Sequence, residues 1–423
     1  MGRSTDAISA DGGQPVGIGV PFGGTAMSNT QLAPRSRLFT RAFVALSLAE
    51  LAYFTAAGLT IPITPLFAYG PLGASEAGVG LAVGAFAATA LVLRPYAGRL
   101  SDRVGRRPLL IGGAIGFAVV LVAHALVSTL PALIGLRLLL GVAEAFFFVA
   151  GFAAVADLAP PGRAGEALSI NSLSLYLGIA LGPLVGQVLL DSGGYVMAWL
   201  GGGVLALLAA GLASRIPETA SQTGGDRGPT PFFHRAALAP SVALFTGIVG
   251  MGGFLAFVAI HATENLGLEQ PSGILFLFGL IVVATRVVFA KLPDRVPPFR
   301  LGVVALTLIA AGLVVAGSIE SVLGLVIGAA VIAAGVAFLT PAFFAAVFAR
   351  VAPSERGSAS GMASLFIDLG FGGGPMILGL VAGVAGIPAG FAVVALIAAL
   401  GAVGSAVLAT RRPAPTSSAL QTP

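Results

Sequence analysis

Three carboxylic acids fall near the middle of long apolar stretches of the chain. They are Glu50, Glu144 and Asp368. An ionised acid at the centre of a bilayer costs about 2.5–3.5 kcal/mol, so such residues usually have a function and face a polar cavity. Burial favours the neutral form of a carboxyl group, whereas a nearby arginine favours the charged form. Because the two effects oppose each other, such an acid can take up and release a proton, and we predict proton binding at all three.

Arg137 lies in the same apolar stretch as Glu144. Arg137, Gly141 and Glu144 are spaced i, i+4 and i+7, which places them on one stripe of a helix. Seven residues rise about 10 Å along a helix, so an ion pair requires the arginine to extend towards Glu144. We predict that Arg137 tunes a proton site; the alternative is that it holds an anionic substrate.

The composition indicates that lipid surrounds these stretches. The 423 residues are 57% hydrophobic and 9% charged, with a mean hydropathy of +1.00, whereas soluble domains carry about 25% charged residues. A helix of about 20 apolar residues crosses a bilayer, which predicts an all-α membrane protein with twelve transmembrane helices. The apolar runs are 42–66, 75–98, 108–129, 131–157, 165–190, 194–214, 238–262, 272–291, 301–318, 321–349, 357–384 and 386–410.

The basic residues indicate the direction of the helices. Of the 22 Lys and Arg residues, all but Arg94, Arg137 and Arg286 fall in the segments that share one side of the membrane when the runs alternate. Basic residues favour the cytoplasmic side, so both termini are predicted to be cytoplasmic. Heavy use of Ala and Gly, with a single Lys, is typical of a GC-rich bacterial genome. The predicted location is therefore the inner (plasma) membrane of a bacterium.

The same composition excludes several classes of function. With no cysteine, and three histidines without metal-ligand spacing, the sequence predicts no metal site. It contains no phosphate-binding loop or nucleophile constellation, so we expect neither an enzyme nor a cofactor. The basic residues lie at the ends of apolar runs, which argues against nucleic acid as a partner. The expected partners are a small-molecule substrate, protons and the lipid bilayer, and we expect a monomer.

The two halves of the chain carry the same motifs at a constant offset. Arg94 and Asp102 recur as Arg286 and Asp294, each 192 positions later, and a Gly-Pro pair of the fifth run recurs in the eleventh at the same offset. Related repeats in transporters place the substrate site at the midplane between them. The predicted division is a disordered cytoplasmic tail at 1–40, a six-helix bundle at 41–215, a cytoplasmic linker at 216–236, a second six-helix bundle at 237–411 and a cytoplasmic tail at 412–423.

The loop after the second run resembles a known signature. The stretch Gly98-Arg-Leu-Ser-Asp102-Arg103-Val-Gly105-Arg106-Arg107 is similar to the loop between spans two and three of the major facilitator superfamily. The resemblance covers roughly residues 41–411 and implies the fold of that family, two pseudo-symmetric six-helix bundles. It also implies conformational gating by Gly98, Asp102, Arg103, Gly105, Arg106 and Arg107, with Asp294 from the degraded second copy.

Two further motifs resemble those of the same family. Arg137 and Gly141 match its Arg-x-x-x-Gly motif. The fifth run is similar to the antiporter motif of the drug or metabolite:proton antiporters with twelve spans. Glycines at every fourth position share one helix face and allow close packing in lipid. The residues that carry this match are Gly178, Gly182, Pro183 and Gly186.

Aromatic residues supply candidate walls for a substrate cavity. In the family, spans one, four, seven and ten line the cavity, and an aromatic lining suits an amphiphilic organic molecule. The candidates are Tyr53, Phe54, Phe148, Tyr176, Phe254, Phe257 and Phe343. The resemblance implies alternating access, with export of a drug-like compound or metabolite in exchange for protons. The alternative is a proton symporter or uniporter that imports a sugar, an organic acid or another nutrient.

Overall fold

The computed structural model describes residues 38–160, 163–219, 234–351 and 355–410, and within these ranges the regular structure is entirely helical. The prediction of an all-α membrane protein is confirmed. Nearly all of the two predicted tails, and residues 220–233 of the predicted linker, lie outside the described residues.

Twelve helical segments follow one another along the described chain. A π-helical turn, His261–Asn265, extends α6. The helices are α1 (Arg41–Tyr69), α2 (Glu76–Val104), α3 (Arg106–His124), α4 (Leu130–Leu158), α5 (Ala164–Ala213), α6 (Arg235–Ile260), α7 (Ser272–Val288), α8 (Leu292–Arg295), α9 (Pro298–Ser318), α10 (Val322–Phe348), α11 (Arg356–Ala385) and α12 (Ile387–Thr410).

Ten helices of the described ranges are long and apolar enough to cross a membrane, and α7 is a shorter apolar helix. The helix α5 is counted once among the ten, but Gly193 and Gly194 leave helical geometry inside it. Gly194 has a φ of 69°, a conformation that favours glycine. This break falls where the predicted sixth run, 194–214, begins. A count of twelve spans therefore stays a prediction.

The helix pair α1 and α5 packs through the glycines that the sequence places on one face. A Cβ on Gly178 would lie 2.6 Å from the Cβ of Phe54, and one on Gly182 would clash with the backbone of Gly58 and Leu59. The two backbones therefore touch, as small residues allow in lipid. The role of this motif in antiport stays a prediction.

The contact recurs in the second half of the chain, where α6 packs against α11. Gly374 lies 192 positions after Gly182, and a Cβ on it would clash with the carbonyl oxygen of Val249. Gly370 lies 192 positions after Gly178, and a Cβ there would lie 2.7 Å from the side chain of Ile248. The repeat seen in the motifs is thus also a repeat of helix contacts.

Two other helix pairs join the predicted halves, α2 with α11 and α5 with α7. In the first pair, a Cβ on Gly372 would lie 3.2 Å from the Cβ of Ala87. In the second pair, a Cβ on Gly279 would clash with Ala180. Because 279 is 192 after 87, and 372 is 192 after 180, the two interfaces are built from equivalent positions.

Candidate functional site between α2, α4 and α11

A cluster of three charged side chains joins α2, α4 and α11. Arg94 of α2 places its Nη2 atom 3.2 Å from Oε1 of Glu144 on α4, and its Nε atom 2.9 Å from Oδ2 of Asp368 on α11. The side chains of Glu144 and Asp368 are 8% and 6% exposed, and that of Arg94 is 17% exposed. Two acids that the sequence placed in different halves therefore share one arginine.

The cluster carries an excess of negative charge when both acids are ionised, since two carboxylates face one guanidinium. A buried acid in excess over its counter-charge favours binding a proton, because the neutral form avoids the penalty of desolvation. Protonation of either acid brings the cluster to neutrality. The arrangement can therefore hold one proton without leaving an unbalanced charge in the apolar interior.

An aromatic wall borders the cluster on α4. The Cζ atom of Arg94 lies 4.2 Å from the centre of the Phe148 ring, a cation–π contact. Phe148 in turn stacks on Phe152 at 4.6 Å between ring centres, and meets Phe54 edge-on at 6.2 Å. Phe54 and Phe148, both predicted to line a substrate cavity, thus lie next to the charged cluster.

Glu50 lies in a separate polar cluster within the first half. The side-chain amide of Asn171 donates a hydrogen bond to Oε2 of Glu50, and the hydroxyl of Ser47 donates to Oδ1 of Asn171 at 3.0 Å. Glu50 is buried, and its Oε1 atom has no hydrogen-bond partner among the described residues. A Cβ on Gly151 of α4 would lie 2.7 Å from that oxygen, so the carboxyl is enclosed by α1, α4 and α5.

Arg137 is buried, and none of the described residues places a carboxylate next to it. Its Nη1 atom lies 3.4 Å from the hydroxyl of Thr60, and its Cζ atom lies 5.0 Å from the centre of the Phe86 ring. Its Nε atom has no hydrogen-bond partner, and no acid of the described ranges lies within ion-pair distance. Glu144, which shares its helix stripe, extends to Arg94 instead.

The loop between α2 and α3 is held by a second charged network. Arg106 places its Nη2 atom 2.8 Å from Asp102, and its Nε atom 3.2 Å from Asp157 at the end of α4. The carboxylate of Glu218 accepts hydrogen bonds from the backbone N–H groups of Arg106 (2.8 Å) and Arg107 (3.2 Å). Glu218 therefore caps the first turn of α3, where orphan N–H groups and the helix dipole favour an anion.

The sequence of the chain matches the model of a known protein family. The family model of the Major Facilitator Superfamily matches residues 46–324. The chain belongs to this superfamily. It is therefore a membrane transporter, which places it in a lipid bilayer and gives it a small-molecule substrate.

Individual members of the superfamily agree with this assignment. The chain is 31% identical over 399 residues to an uncharacterized MFS-type transporter of Burkholderia mallei, covering 90% of this chain and 95% of the relative. It is 29% identical over 366 residues to an uncharacterized MFS-type transporter of Salmonella typhimurium, covering 84% and 94%. A bacterial homolog of the human lysosomal transporter Spinster, in an inward-facing and unoccupied conformation, has the same fold. Its TM-score is 0.72 at 17% identity, over 89% of this chain and 98% of that chain.

The other residues predicted to line the cavity or to act in gating have different surroundings. Tyr53 is buried and stacks on Phe147 at 3.8 Å between ring centres. Tyr176 contacts Arg286. Asp294 lies in α8 and its side chain is outside the described part of the chain. Their roles in the cavity and in gating stay predictions, as do those of the other buried aromatic candidates, Phe254, Phe257 and Phe343, and of Gly98, Arg103, Pro183 and Gly186.

Sequence reasoning missed three charged residues of these networks. Arg94 was recognised as a basic residue inside a span but was given no role. Glu218 lies in the polar linker, where nothing in the apolar pattern selects it. Asp157 lies near the end of an apolar run and pairs with Arg106. A signal for Glu218 was present, since α3 begins at Arg106 after Gly105, neither of which offers a side-chain acceptor for the N–H groups of its first turn.

Replacing Glu218 with alanine should loosen the start of α3. The change removes the acceptor of two backbone N–H groups of α3, and loss of an N-cap costs about 0.5–2 kcal/mol. We expect the midpoint of thermal unfolding to fall, followed by the fluorescence of Trp199, the single tryptophan. Glu269→Ala is the matched control, since Glu269 is an exposed loop acid. An equal midpoint in the two variants would remove the capping role of Glu218.

Proposed function

We propose that this transporter exports a small organic molecule in exchange for protons. The Arg94–Glu144–Asp368 cluster supports the proposal, because it combines an inter-half ion pair with an excess of buried acid. The proposed location is the inner membrane of a bacterium, with both termini in the cytoplasm and a monomer as the working unit. Residues 41–215 and 237–411 act as the two moving bundles.

The proton acts on one particular contact of the cluster. The pair between Arg94 and Glu144 lies within the first bundle, since α2 and α4 both precede residue 216. The pair between Arg94 and Asp368 crosses to the second bundle. Protonation of Asp368 removes its charge and weakens only the crossing contact, while Glu144 keeps Arg94 paired. A proton therefore shifts the equilibrium between two arrangements of the bundles, as coupling of binding to conformation requires.

Glu50 provides a second proton site in this scheme. The Asn171 amide donates to one of its oxygens and the other oxygen is enclosed without a partner. A protonated Glu50 can donate a hydrogen bond of its own, so the site is suited to a group that changes between charged and neutral forms. The substrate then binds at the aromatic wall around Phe148, next to the carboxylates that take up the proton. An amphiphilic organic molecule fits a wall of this composition.

Import of an anion is the second candidate, and Arg137 favours it. A buried guanidinium without a carboxylate is a ready site for a carboxylate or phosphate group. In that case protons and substrate enter together, or the substrate enters alone. The two candidates predict opposite responses to the same gradient: an inward proton gradient drives antiport substrates out and symport substrates in.

Transport in proteoliposomes distinguishes these functions. Three fluorescent probes, a lipophilic cation, an amphiphilic anion and an uncharged dye, are offered against an imposed pH gradient, with an internal pH indicator. We expect at least one probe to move against the proton flow, and the double variant Glu144→Gln with Asp368→Asn to lose gradient dependence. Arg99→Gln, an exposed arginine of α2, is the control that should behave as wild type. Probe flux that ignores the gradient in wild type would rule out proton coupling.

A further inference from the structure

A second arginine crosses between the predicted halves at the position equivalent to Arg94. Arg286 of α7 donates from Nη2 to the hydroxyl of Tyr176 on α5 at 2.7 Å, and its Cζ atom lies 4.0 Å from the centre of the Tyr176 ring. Arg286 lies 192 positions after Arg94. Asp368 lies 192 positions after Tyr176. The pairs Arg94–Asp368 and Arg286–Tyr176 are therefore the same contact in the two halves of the repeat.

The surrounding helix contacts support this equivalence. Each arginine lies seven residues after the position at which its helix touches the partner helix, Ala87 in one interface and Gly279 in the other. Each partner residue lies four positions before the matching small residue, Gly372 or Ala180. The backbones of the two interfaces are thus alike. The interfaces differ in the residue that the arginine contacts.

The difference between the two contacts is one of charge. Asp368 faces Arg94 of α2 and Glu144 of α4, and it changes charge when it binds a proton. Tyr176 offers Arg286 a phenol hydroxyl and an aromatic ring in place of a carboxylate. No acid of the described ranges lies within ion-pair distance of Arg286. The hydrogen bond and the cation–π contact of Arg286 therefore involve no carboxylate.

We propose that Arg286 and Tyr176 form a charge-invariant clasp that positions α5 against α7 in every protonation state, so that protons loosen the contact between the halves on the α2–α11 side alone. This inference rests on the proposed proton coupling. It assigns Arg286 and Tyr176 as positioning residues for transport, acting through helix placement. It also predicts that the two interfaces, alike in backbone, respond differently to pH.

Distances between spin labels across each interface test the clasp. The chain has no cysteine, so labels can be introduced into the natural sequence without removing native thiols. One pair is Arg99→Cys on α2 with Gly361→Cys on α11. The other is Lys291→Cys, in the turn that follows α7, with Glu166→Cys on α5. The full chain in lipid nanodiscs is measured at pH 5 and pH 8. We expect the α2–α11 distance to change by about 5 Å, the size of a helix shift of one turn, and the α5–α7 distance to stay the same.

Each outcome of this measurement bears on a separate claim. Equal changes at both interfaces would overturn the clasp and leave proton coupling intact. No change at either interface would overturn the proton response of the α2–α11 contact, and with it the difference between the two interfaces. A change on the α2–α11 side alone supports both.

Variants separate positioning from a merely structural contact. Arg286→Gln should broaden the α5–α7 distance distribution at both pH values. Arg286→Lys keeps the charge and a donor, so the distribution in that variant should stay narrow. Asp368→Tyr copies the second clasp into the first interface and should abolish the pH response of the α2–α11 pair. A narrow α5–α7 distribution in Arg286→Gln, or a retained pH response in Asp368→Tyr, would refute the assignment.

Discussion

Replacing Arg94 with glutamine should abolish coupled transport and destabilise the protein at pH 8. The change leaves Glu144 and Asp368 as neighbouring buried acids without a counter-charge. Removing one partner of a buried ion pair costs about 3–5 kcal/mol, because the remaining charge is left uncompensated. Protonation removes these unpaired charges, so the loss of stability should be smaller at pH 5. Coupled flux of the transported probe should fall at least about tenfold. That factor corresponds to a free energy of about 1.4 kcal/mol, which is less than the cost of losing the ion pair.

The matched experiments for Arg94 use the same assays. Arg99→Gln removes an exposed arginine from the same helix and should change neither stability nor flux. The double variant Arg94→Gln with Asp368→Asn removes a charge from each side, so part of the lost stability at pH 8 should return without recovery of coupling. If Arg94→Gln unfolds at the wild-type temperature at both pH values, the ion pairs contribute nothing to the fold and the proposed switch loses its basis.

Replacing Gly182 with alanine should separate α1 from α5. The added Cβ meets the backbone of Gly58 and Leu59, which cannot rotate out of the way as a side chain can. Overpacking of this kind costs about 1–3 kcal/mol and occasionally more. We expect a lower unfolding midpoint by Trp199 fluorescence and a smaller monodisperse fraction on size exclusion.

Gly211, in the part of α5 that follows the break at Gly193 and Gly194, provides the control. A Cβ at Gly211 meets nothing within 4 Å. Alanine there should be neutral or stabilising by up to about 1 kcal/mol, the difference in helix propensity between glycine and alanine. If Gly182→Ala and Gly211→Ala behave alike, the close approach of α1 and α5 does not limit stability.

The helical membrane fold could be predicted because it depends on local patterns. Apolar runs of bilayer length leave few alternatives, since every backbone polar group in lipid must be satisfied within a helix or a closed barrel. The glycine spacing in the fifth run also predicted the face by which α5 meets a neighbour. The break at Gly193 and Gly194 lies where the apolar runs predict one span to end and the next to begin, although the runs do not indicate that only two residues leave helical geometry there.

The partners of the buried charges could not be predicted from spacing. Helical periodicity reports neighbours on the same helix, so it related Arg137 to Glu144 and had no means of relating Asp368 to either. The actual partner of both acids is Arg94, on a third helix. Two features of the sequence do indicate that Arg94 has a role. The offset of 192 residues pairs Arg94 with Arg286, and a basic residue inside a span is as unfavourable in lipid as an acid.

The most direct test of proton binding by the Arg94 cluster is infrared difference spectroscopy of the full chain in lipid, comparing pH 5 with pH 8. A protonated carboxyl group has a C=O stretch that an ionised one lacks. We predict that this band grows on acidification in wild type, that the growth is strongly reduced in Glu144→Gln with Asp368→Asn, and that adding Glu50→Gln reduces it further. Band growth that is equal in wild type and in the Glu144→Gln, Asp368→Asn variant would contradict the proposal that this cluster carries the proton.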